Sequence, residues 1–149
     1  MSRFISKSEK ETEKIAEKLA KKLKGGEVIG LIGDLGAGKT VFVRGLARGF
    51  GIKKPITSPT FVLMKVYKIG NLKIKNFLHV DAYRLKDEKD LIEIGILDWL
   101  GKKNTITVIE WADRVKKILP QSAIKITLKL GKKKEERIIR MRAKKNLRK

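Results

Sequence analysis

The chain has 149 residues, of which 42% are hydrophobic, so its length and composition fit a single domain with a buried core. It has no cysteine, which excludes disulfides, thiolate zinc sites and a cysteine nucleophile, so its chemistry must rest on oxygen groups and lysine. The 37 Lys and Arg outnumber the 16 Asp and Glu, which gives a formal net charge of +21. The residues from about 142 to the end form a basic tail. This charge favours polyanionic partners such as RNA, although heat-adapted proteins also have Lys- and Glu-rich surfaces.

The N-terminal region predicts an amphipathic helix and no targeting segment. Residues 1–5 lead into a charged stretch instead of the apolar run of a signal peptide, and no run in the chain approaches the roughly 18 residues of a membrane span. Ser8 and Glu11 form a capping-box pattern, and apolar residues then recur every four positions up to Leu23, before a glycine pair. We therefore expect a cytoplasmic protein without membrane contact.

A strand, a glycine-rich loop and a helix follow in an order that is typical of phosphate-binding loops. Residues 27–32 (EVIGLI) predict a buried strand, residues 33–40 (GDLGAGKT) match G-x-x-x-x-G-K-[ST] at every fixed position, and residues 41–50 predict a helix. A polyphosphate needs backbone N–H groups packed around it, and glycine allows the backbone conformations and the close approach that this requires. The pattern predicts a nucleoside triphosphate site.

The loop residues have expected roles. Lys39 would place its charge on the β- and γ-phosphates, as both a binding and a catalytic residue, and the Thr40 hydroxyl would coordinate Mg²⁺. The helix that begins at the loop adds partial positive charge below the phosphates. We expect nucleotide contacts from Gly36, Ala37, Gly38, Lys39, Thr40 and Val41.

The central part of the chain predicts an antiparallel hairpin. A Pro- and hydroxyl-rich turn at residues 57–60 is followed by two extended runs, 61–67 and 72–80, with a Gly-Asn pair between them. Because such a hairpin departs from a simple parallel arrangement, we expect an α/β fold in three layers with a mixed central sheet, as in P-loop NTPases.

The rest of the chain predicts one more helix and three more strands. Asp87 could cap a helix that carries apolar residues through Leu100, with Gly95 weakening its middle. The expected strands cover residues 105–109, 124–130 and 137–141.

Two acids at predicted strand ends are candidate catalytic residues. Asp81 follows the run 77–80, and Glu110 follows the mainly apolar run 106–109, which has the form of a Walker B element. Ligands in open α/β sheets bind outside the carboxyl ends of the strands. Either carboxylate could hold magnesium, directly or through water, or orient the attacking water; a structural role at the strand end is the alternative.

Three further side chains have two interpretations each. His79, the only histidine, lies on the opposite face of its strand from its apolar neighbours, so a structural hydrogen bond is favoured over a metal site. Arg84 could contact phosphate or form a surface pair. Trp111 could form a wall of the nucleotide pocket or belong to the core.

Four motifs in this order resemble those of one family. They are residues 33–40, 57–61 (TSPTF), 79–85 (HVDAYRL) and 109–113 (IEWAD), and the resemblance that they carry extends over most of the chain. The family is that of the TsaE (YjeE) P-loop ATPases of bacterial tRNA threonylcarbamoyladenosine biosynthesis. Four motifs at similar spacings are far more specific than one loop.

The resemblance implies a small α/β fold that binds ATP and Mg²⁺ and hydrolyses ATP weakly when alone. It implies action with TsaD and TsaB partners in the modification of the tRNA adenosine next to the anticodon. By the same resemblance, Thr40 and Glu110 hold magnesium, Asp81 acts near the γ-phosphate or its water, and residues 58–60 behave as a switch-like loop.

The resemblance also implies contacts from the two ends of the chain. Glu9 or Thr12 would touch the adenosine, and a basic residue of the last hairpin, such as Lys134, would contribute. Val41 is a departure, since it stands where the family commonly has a second threonine, and it removes one hydroxyl contact to the α-phosphate.

Two other functions stay open on the same loop. One is a small-molecule P-loop kinase, for which 149 residues leave little room for an acceptor pocket and a lid. The other is a nucleotide-regulated RNA-binding module whose basic residues 131–149 contact RNA or tRNA.

Overall fold

The computed structural model describes residues 2–57, 63–70 and 73–143 and consists of a mixed sheet between two helical layers. The described strands are β1 (Ser2–Ser6), β2 (Val28–Ile32), β3 (Met64–Lys68), β4 (Asn76–Asp81), β5 (Thr105–Glu110), β6 (Ile124–Leu130) and β7 (Arg137–Arg142). The described α-helices are α1 (Glu9–Lys22), α2 (Lys39–Gly49) and α3 (Lys89–Glu93), and 3-10 helices cover Ile96–Asp98 and Ala112–Ile118. Among the described residues, no helix combines the length and the apolar character needed to cross a membrane.

The sheet has the strand order β1-β7-β6-β2-β5-β4-β3. Its centre is parallel, because β2 pairs with both β5 and β6 and β4 pairs with β5 in that sense. The predicted hairpin is confirmed as β3 and β4, which pair antiparallel with Met64 opposite Val80. The last two predicted strands form a second antiparallel pair, β6 and β7. The α/β fold with a mixed sheet and an antiparallel hairpin is therefore as the sequence predicts.

The two faces of the sheet bury different halves of the strand residues. Helices α1 and α2 cover the face that carries Leu31, Phe77 and Val108, whereas α3 and the 3-10 helices cover the face of Leu78 and Ile109. This alternation confirms that His79 points away from the side of Leu78, into the layer beneath α2. The central strands β2, β4 and β5 are buried on both faces, which explains their nearly continuous apolar runs.

Close packing of α1 against α2 fixes the helix that follows the phosphate loop. A Cβ added to Gly45 of α2 would lie 2.4 Å from the Glu13 carbonyl oxygen and 2.6 Å from the Ala16 Cβ. The absence of a side chain at Gly45 lets the two helices approach to backbone contact. Helix α1 begins as predicted, since the Ser8 hydroxyl accepts a hydrogen bond from the Glu11 N–H at 3.2 Å.

One prediction for the secondary structure was wrong, and one strand was missed. The helix expected from Asp87 through Leu100 is broken, because Gly95 adopts a φ of 91° and separates the short α3 from a 3-10 helix. The apolar spacing identified the buried Leu91 and Ile96 but not this left-handed residue. Strand β1 was not predicted, and its exposed Phe4 and Ile5 are ordered by pairing with β7. The expected switch-like residues 58–60, and the tail from residue 144, lie outside the described residues.

Candidate nucleotide-binding site

A cavity of about 360 Å³ lies where α2 begins, at the carboxyl ends of β2, β4 and β5. Its volume is within the usual range for small-molecule sites. The phosphate loop, the ends of two neighbouring strands, the start of α1 and the last hairpin all contribute to its wall. The lining residues are Glu9, Thr12, Leu35, Gly36, Gly38, Lys39, Thr40, Val41, Asp81, Tyr83, Glu110, Trp111, Glu135 and Arg137.

The backbone of the loop requires glycine at one fixed position of the motif, Gly38, and at one variable position, Gly36. Gly36 and Gly38 have φ values of 80° and 100°, in the left-handed region that a side chain strongly disfavours. Gly38 is also the N-cap of α2, and its carbonyl oxygen accepts from the Phe42 N–H at 2.9 Å. Ala37 has its side chain fully buried outside the cavity lining, and its N–H donates to the Asp34 carbonyl oxygen at 3.0 Å. Val41 lines the cavity with an apolar side chain.

Lys39 is almost fully buried and is held by the loop itself. Its Nζ donates to the carbonyl oxygens of Gly33, at 2.6 Å, and Asp34, at 2.8 Å. The same ammonium group lies 4.0 Å from the centre of the Trp111 ring. Burial lowers the pKa of Lys39, and the negative charges of Glu110 and other nearby carboxylates oppose this shift. The ammonium group is thus fixed at the cavity wall, with two of its three donors used.

Trp111 is partly buried: it lines the cavity beside Lys39 and also packs against the core cluster that contains Leu78 and Ile109. It has a φ of 58°, which costs about 1–3 kcal/mol for a non-glycine residue. This left-handed conformation at the end of β5 turns the indole ring toward Lys39 and toward Tyr83, whose ring centre is 4.9 Å away. The Arg114 guanidinium lies 5.3 Å from the indole centre. The strained backbone therefore places an aromatic wall in the cavity.

Glu110 is the most constrained carboxylate of the site. It is 3% exposed, and each of its oxygens has a partner from a different element. Its Oε1 accepts from the Thr40 hydroxyl at 3.1 Å, and its Oε2 accepts from His79 Nε2 at 2.6 Å. The predicted structural hydrogen bond of His79 is thereby confirmed, with Glu110 as its partner. The contacts join the strand end of β5 to the first turn of α2.

The pair Thr40 and Glu110 fits a hard cation. Both offer oxygen atoms, and the 3.1 Å between Thr40 Oγ1 and Glu110 Oε1 is close to the roughly 3 Å that separates adjacent ligands of octahedral Mg²⁺. The described residues contain no group of three His, Cys, Asp or Glu that could hold a metal. A Mg²⁺ site that uses one hydroxyl, one carboxylate, phosphate oxygens and water does not need such a group.

Asp81 stands beside Glu110 but is more open. The two are directly paired in the register of β4 and β5, and Asp81 Oδ1 accepts from the Tyr83 N–H at 3.0 Å. Partial burial raises the pKa of Asp81, and the Glu110 charge adds to this shift, whereas the Tyr83 N–H, His79 and Lys39 oppose it. The two acids therefore differ in burial and in their partners, although the sequence places them in equivalent positions.

The last hairpin contributes an arginine that the sequence analysis missed. Arg137, the first residue of β7, donates from Nη2 to the Gly36 carbonyl oxygen at 3.1 Å. Lys134, the basic residue expected here, does not line the cavity, and only its carbonyl oxygen takes part, as an acceptor from Arg137 Nη1 at 2.9 Å. Arg84 is exposed and does not line the cavity. Glu9 and Thr12 do line it, on the side of α1.

Comparisons with known proteins identify the family of this chain. The family model of the threonylcarbamoyl adenosine biosynthesis protein TsaE matches residues 6–139. The chain is 40% identical to tRNA threonylcarbamoyladenosine biosynthesis protein TsaE of Treponema pallidum over 128 residues, which are 86% of this chain and 91% of that protein. It is 39% identical to the TsaE protein of Rickettsia bellii over 130 residues, 87% of each chain.

A solved structure shows the same fold. The crystal structure of Bacillus subtilis YdiB superposes with a TM-score of 0.79 at 30% sequence identity, and the match covers 97% of this chain and 86% of that one. The family match extends from the end of β1 into β7 and includes every element that lines the cavity. The chain therefore belongs to the TsaE family of tRNA threonylcarbamoyladenosine biosynthesis proteins.

Proposed function

We propose that this chain is an ATP-binding and ATP-hydrolysing accessory subunit for the threonylcarbamoyl modification of tRNA. The contact of Glu110 with Thr40 carries the proposal, because it brings a Walker B carboxylate to the hydroxyl of the phosphate loop. Thr40 and Glu110 would hold Mg²⁺, and Lys39 would bind the β- and γ-phosphates. Gly36, Gly38 and the N–H groups around them would surround the phosphates.

Asp81 supports hydrolysis of the γ-phosphate. Its raised pKa suits a group that accepts a proton or a hydrogen bond from the attacking water. Mg²⁺, when bound, supplies positive charge that neutralises the phosphate oxygens. Arg137 adds a cation at the loop, and Trp111 and Tyr83 form an aromatic wall beside Lys39. Glu9 and Thr12 line the side that remains for the nucleoside.

The family supports a role in which hydrolysis serves other proteins. The names of the relatives place them in tRNA threonylcarbamoyladenosine biosynthesis, and the proposed partners are TsaD-like and TsaB-like proteins. The subunit would act in the cytoplasm, where ATP and tRNA are found. Release of inorganic phosphate, and not its transfer to a small acceptor, distinguishes this role from that of a kinase.

The test is multiple-turnover threonylcarbamoylation of tRNA by matching TsaD and TsaB proteins, together with phosphate release from ATP. We expect Lys39→Ala to lower both by at least about a hundredfold, because the ammonium group that stabilises the transferred charge is lost. Lys134→Ala is the matched control, since it removes the same side chain outside the cavity and should change neither rate more than about twofold.

Three results would contradict the proposal. Modification that proceeds equally without the chain would remove the accessory role. Equal phosphate release by wild type and Lys39→Ala would remove the catalytic site. A radiolabelled γ-phosphoryl group that appears on a small acceptor would show a kinase.

A further inference from the structure

We propose that a second, basic groove at the other end of α2 binds the phosphate backbone of RNA. This basic groove has a volume of about 510 Å³ and lies where the chain leaves α2. Its cationic side chains are Arg44, Arg48, Lys53 and Lys54. The proposal does not depend on ATP hydrolysis, and it concerns residues remote from the nucleotide cavity.

The charge of the basic groove is of one sign. Four cationic residues and no acidic residue line it. The nucleotide cavity instead has charges of both signs, with more acidic than cationic residues. Its acidic lining residues are Glu9, Asp81, Glu110 and Glu135, and its cationic ones are Lys39 and Arg137. A concave surface lined by one sign of charge concentrates its field and attracts polyanions.

Most of these cations have no carboxylate partner. Arg48 is used within the fold, because its Nη1 lies 2.8 Å from Glu13 and 3.6 Å from Glu17 of α1. Arg44, Lys53 and Lys54 are exposed and form no ion pair with any described residue. The residues outside the described ranges include no Asp or Glu at all. Three positive charges of the groove are therefore available to a ligand.

The helix end gives the basic groove a defined shape. The Ile52 N–H donates to the Ala47 carbonyl oxygen and the Gly51 N–H to that of Arg48, both at 3.0 Å, and Gly51 has a φ of 77°. These are the two hydrogen bonds of a Schellman motif, which folds the following segment back against the last turn of the helix. Lys53 and Lys54 are thereby held beside α2.

The cations are spaced as a phosphate backbone requires. Arg48 contacts the α1 carboxylates through Nη1, but its side chain is 65% exposed, so it can still face a phosphate. It lies four residues after Arg44 on α2, so the two residues are one above the other, about 6 Å apart along the axis. Successive phosphates along one nucleic acid strand have a similar spacing. Each Arg or Lys that contacts a phosphate contributes to affinity mainly by releasing counterions.

The lining favours RNA over an acidic protein. Protein interfaces rely on buried aromatic or other large apolar anchors and are depleted in Lys. The described lining has no aromatic residue, and of its two large apolar side chains Ile56 is buried and Ile52 is partly buried against the core. Since two of the four cations are lysines, phosphate contacts fit the groove better than a protein interface does.

The experiment measures binding of an unmodified tRNA transcript by the full chain between about 50 and 200 mM salt. We expect Arg44→Gln/Lys53→Gln/Lys54→Gln to weaken tRNA binding at least about tenfold at the lowest salt concentration. The magnitude of the slope of log K, where K is the association constant, against log salt concentration should fall by about 2 to 3. The matched control is Lys89→Gln/Lys116→Gln/Lys117→Gln, three exposed lysines on the other side of the sheet. It makes the same change in net charge and should alter the slope by less than about 1.

Three outcomes overturn the proposal. Equal loss of binding in both triple variants would assign RNA binding to the overall charge, and no loss in either would remove the groove as a site. Unchanged tRNA binding with loss of binding to polyglutamate would identify an acidic protein partner instead. Repeating the titration with Lys39→Ala separates this result from the proposed ATPase, because that variant should bind tRNA like wild type.

Discussion

The two ends of α2 carry sites that are built in opposite ways. At its N-terminal end, Lys39 and Glu110 are buried and each is fixed by contacts with other elements. Toward its C-terminal end, Arg44 in the middle of the helix and Lys53 and Lys54 beyond its end are exposed and unpaired among the described residues. The 11-residue helix is about 16 Å long, so the sites lie far enough apart to act on separate ligands.

This contrast indicates which substitutions have large effects. In the nucleotide cavity a single change leaves a buried group without its partner, which costs more than the contact itself contributes. In the basic groove each charge is solvated and contributes a similar, salt-dependent amount. We therefore expect sharp single-residue effects at one end of the helix and additive effects at the other.

The largest effect should come from Glu110→Gln. Because the amide cannot supply the negative oxygen that Mg²⁺ prefers, we expect Mg²⁺-dependent ATP hydrolysis to fall at least about a hundredfold. The measurement is phosphate release across a Mg²⁺ titration, with tRNA binding measured in parallel and expected to be unchanged. Glu135→Gln is the control, since it removes one negative charge from the same cavity at an exposed position. Parallel loss of tRNA binding in Glu110→Gln would show that the two sites are not separate.

The next largest effect concerns His79 as a positioning residue for Glu110. His79→Leu removes the Nε2 donor, so one oxygen of the buried carboxylate loses its partner, whereas the amide of His79→Gln can still donate. We expect His79→Leu to weaken Mg²⁺ binding about tenfold or more and His79→Gln to restore most of it. Direct titration of Mg²⁺ in the presence of a non-hydrolysable nucleotide measures this without turnover.

A merely structural role for His79 predicts a different result. In that case both variants would lower the melting temperature without changing the Mg²⁺ affinity of the molecules that remain folded. Equal Mg²⁺ affinity in the Leu and Gln variants would therefore contradict the positioning role.

A smaller effect tests the close packing of α2 against α1. Gly45→Ala places a Cβ against the Glu13 carbonyl oxygen, where the backbone cannot yield as a flexible side chain would, so we expect a loss of stability of about 1–3 kcal/mol. For a chain of this size that lowers the melting temperature by roughly 2–4 °C per kcal/mol. Gly70→Ala is the control, because the added Cβ meets nothing within 4 Å. An unchanged melting temperature in Gly45→Ala would show that the helix contact can relax.

The sequence predicts the parts of the site that depend on neighbours along the chain. The loop 33–40 is recognisable because its glycines, Lys39 and Thr40 lie within eight consecutive residues, which form a turn and the start of a helix. Asp81 and Glu110 are recognisable because an apolar strand ends just before each. The short strand β1 and Arg137 were missed, since both acquire their role from pairing between the two ends of the chain. The left-handed Trp111 has no signal in residue type, because its conformation is fixed by tertiary packing.

The smallest effect is a stability change that separates Asp81 from Glu110. Partial burial raises the pKa of Asp81 above its value in the unfolded chain, which is about 3.9. Between these two pKa values the folded protein retains a proton that the unfolded chain has lost, so stability falls as pH rises through this window. Asp81→Asn removes that loss and can still accept from the Tyr83 N–H.

We therefore expect Asp81→Asn, measured in EDTA, to be as stable as wild type near pH 4 and slightly more stable than wild type at pH 7. The difference in the free energy of unfolding should be less than about 1 kcal/mol, because the carboxyl is only partly buried. The variant should at the same time hydrolyse ATP poorly, so that stability and activity change in opposite directions. A lower melting temperature for Asp81→Asn at pH 7 would mean that the charged form is favoured by the Tyr83 N–H, His79 and Lys39 more than burial disfavours it. The raised pKa, and with it the proposed proton-accepting role, would then be wrong, whereas the assignment of Glu110 to the metal would be unaffected.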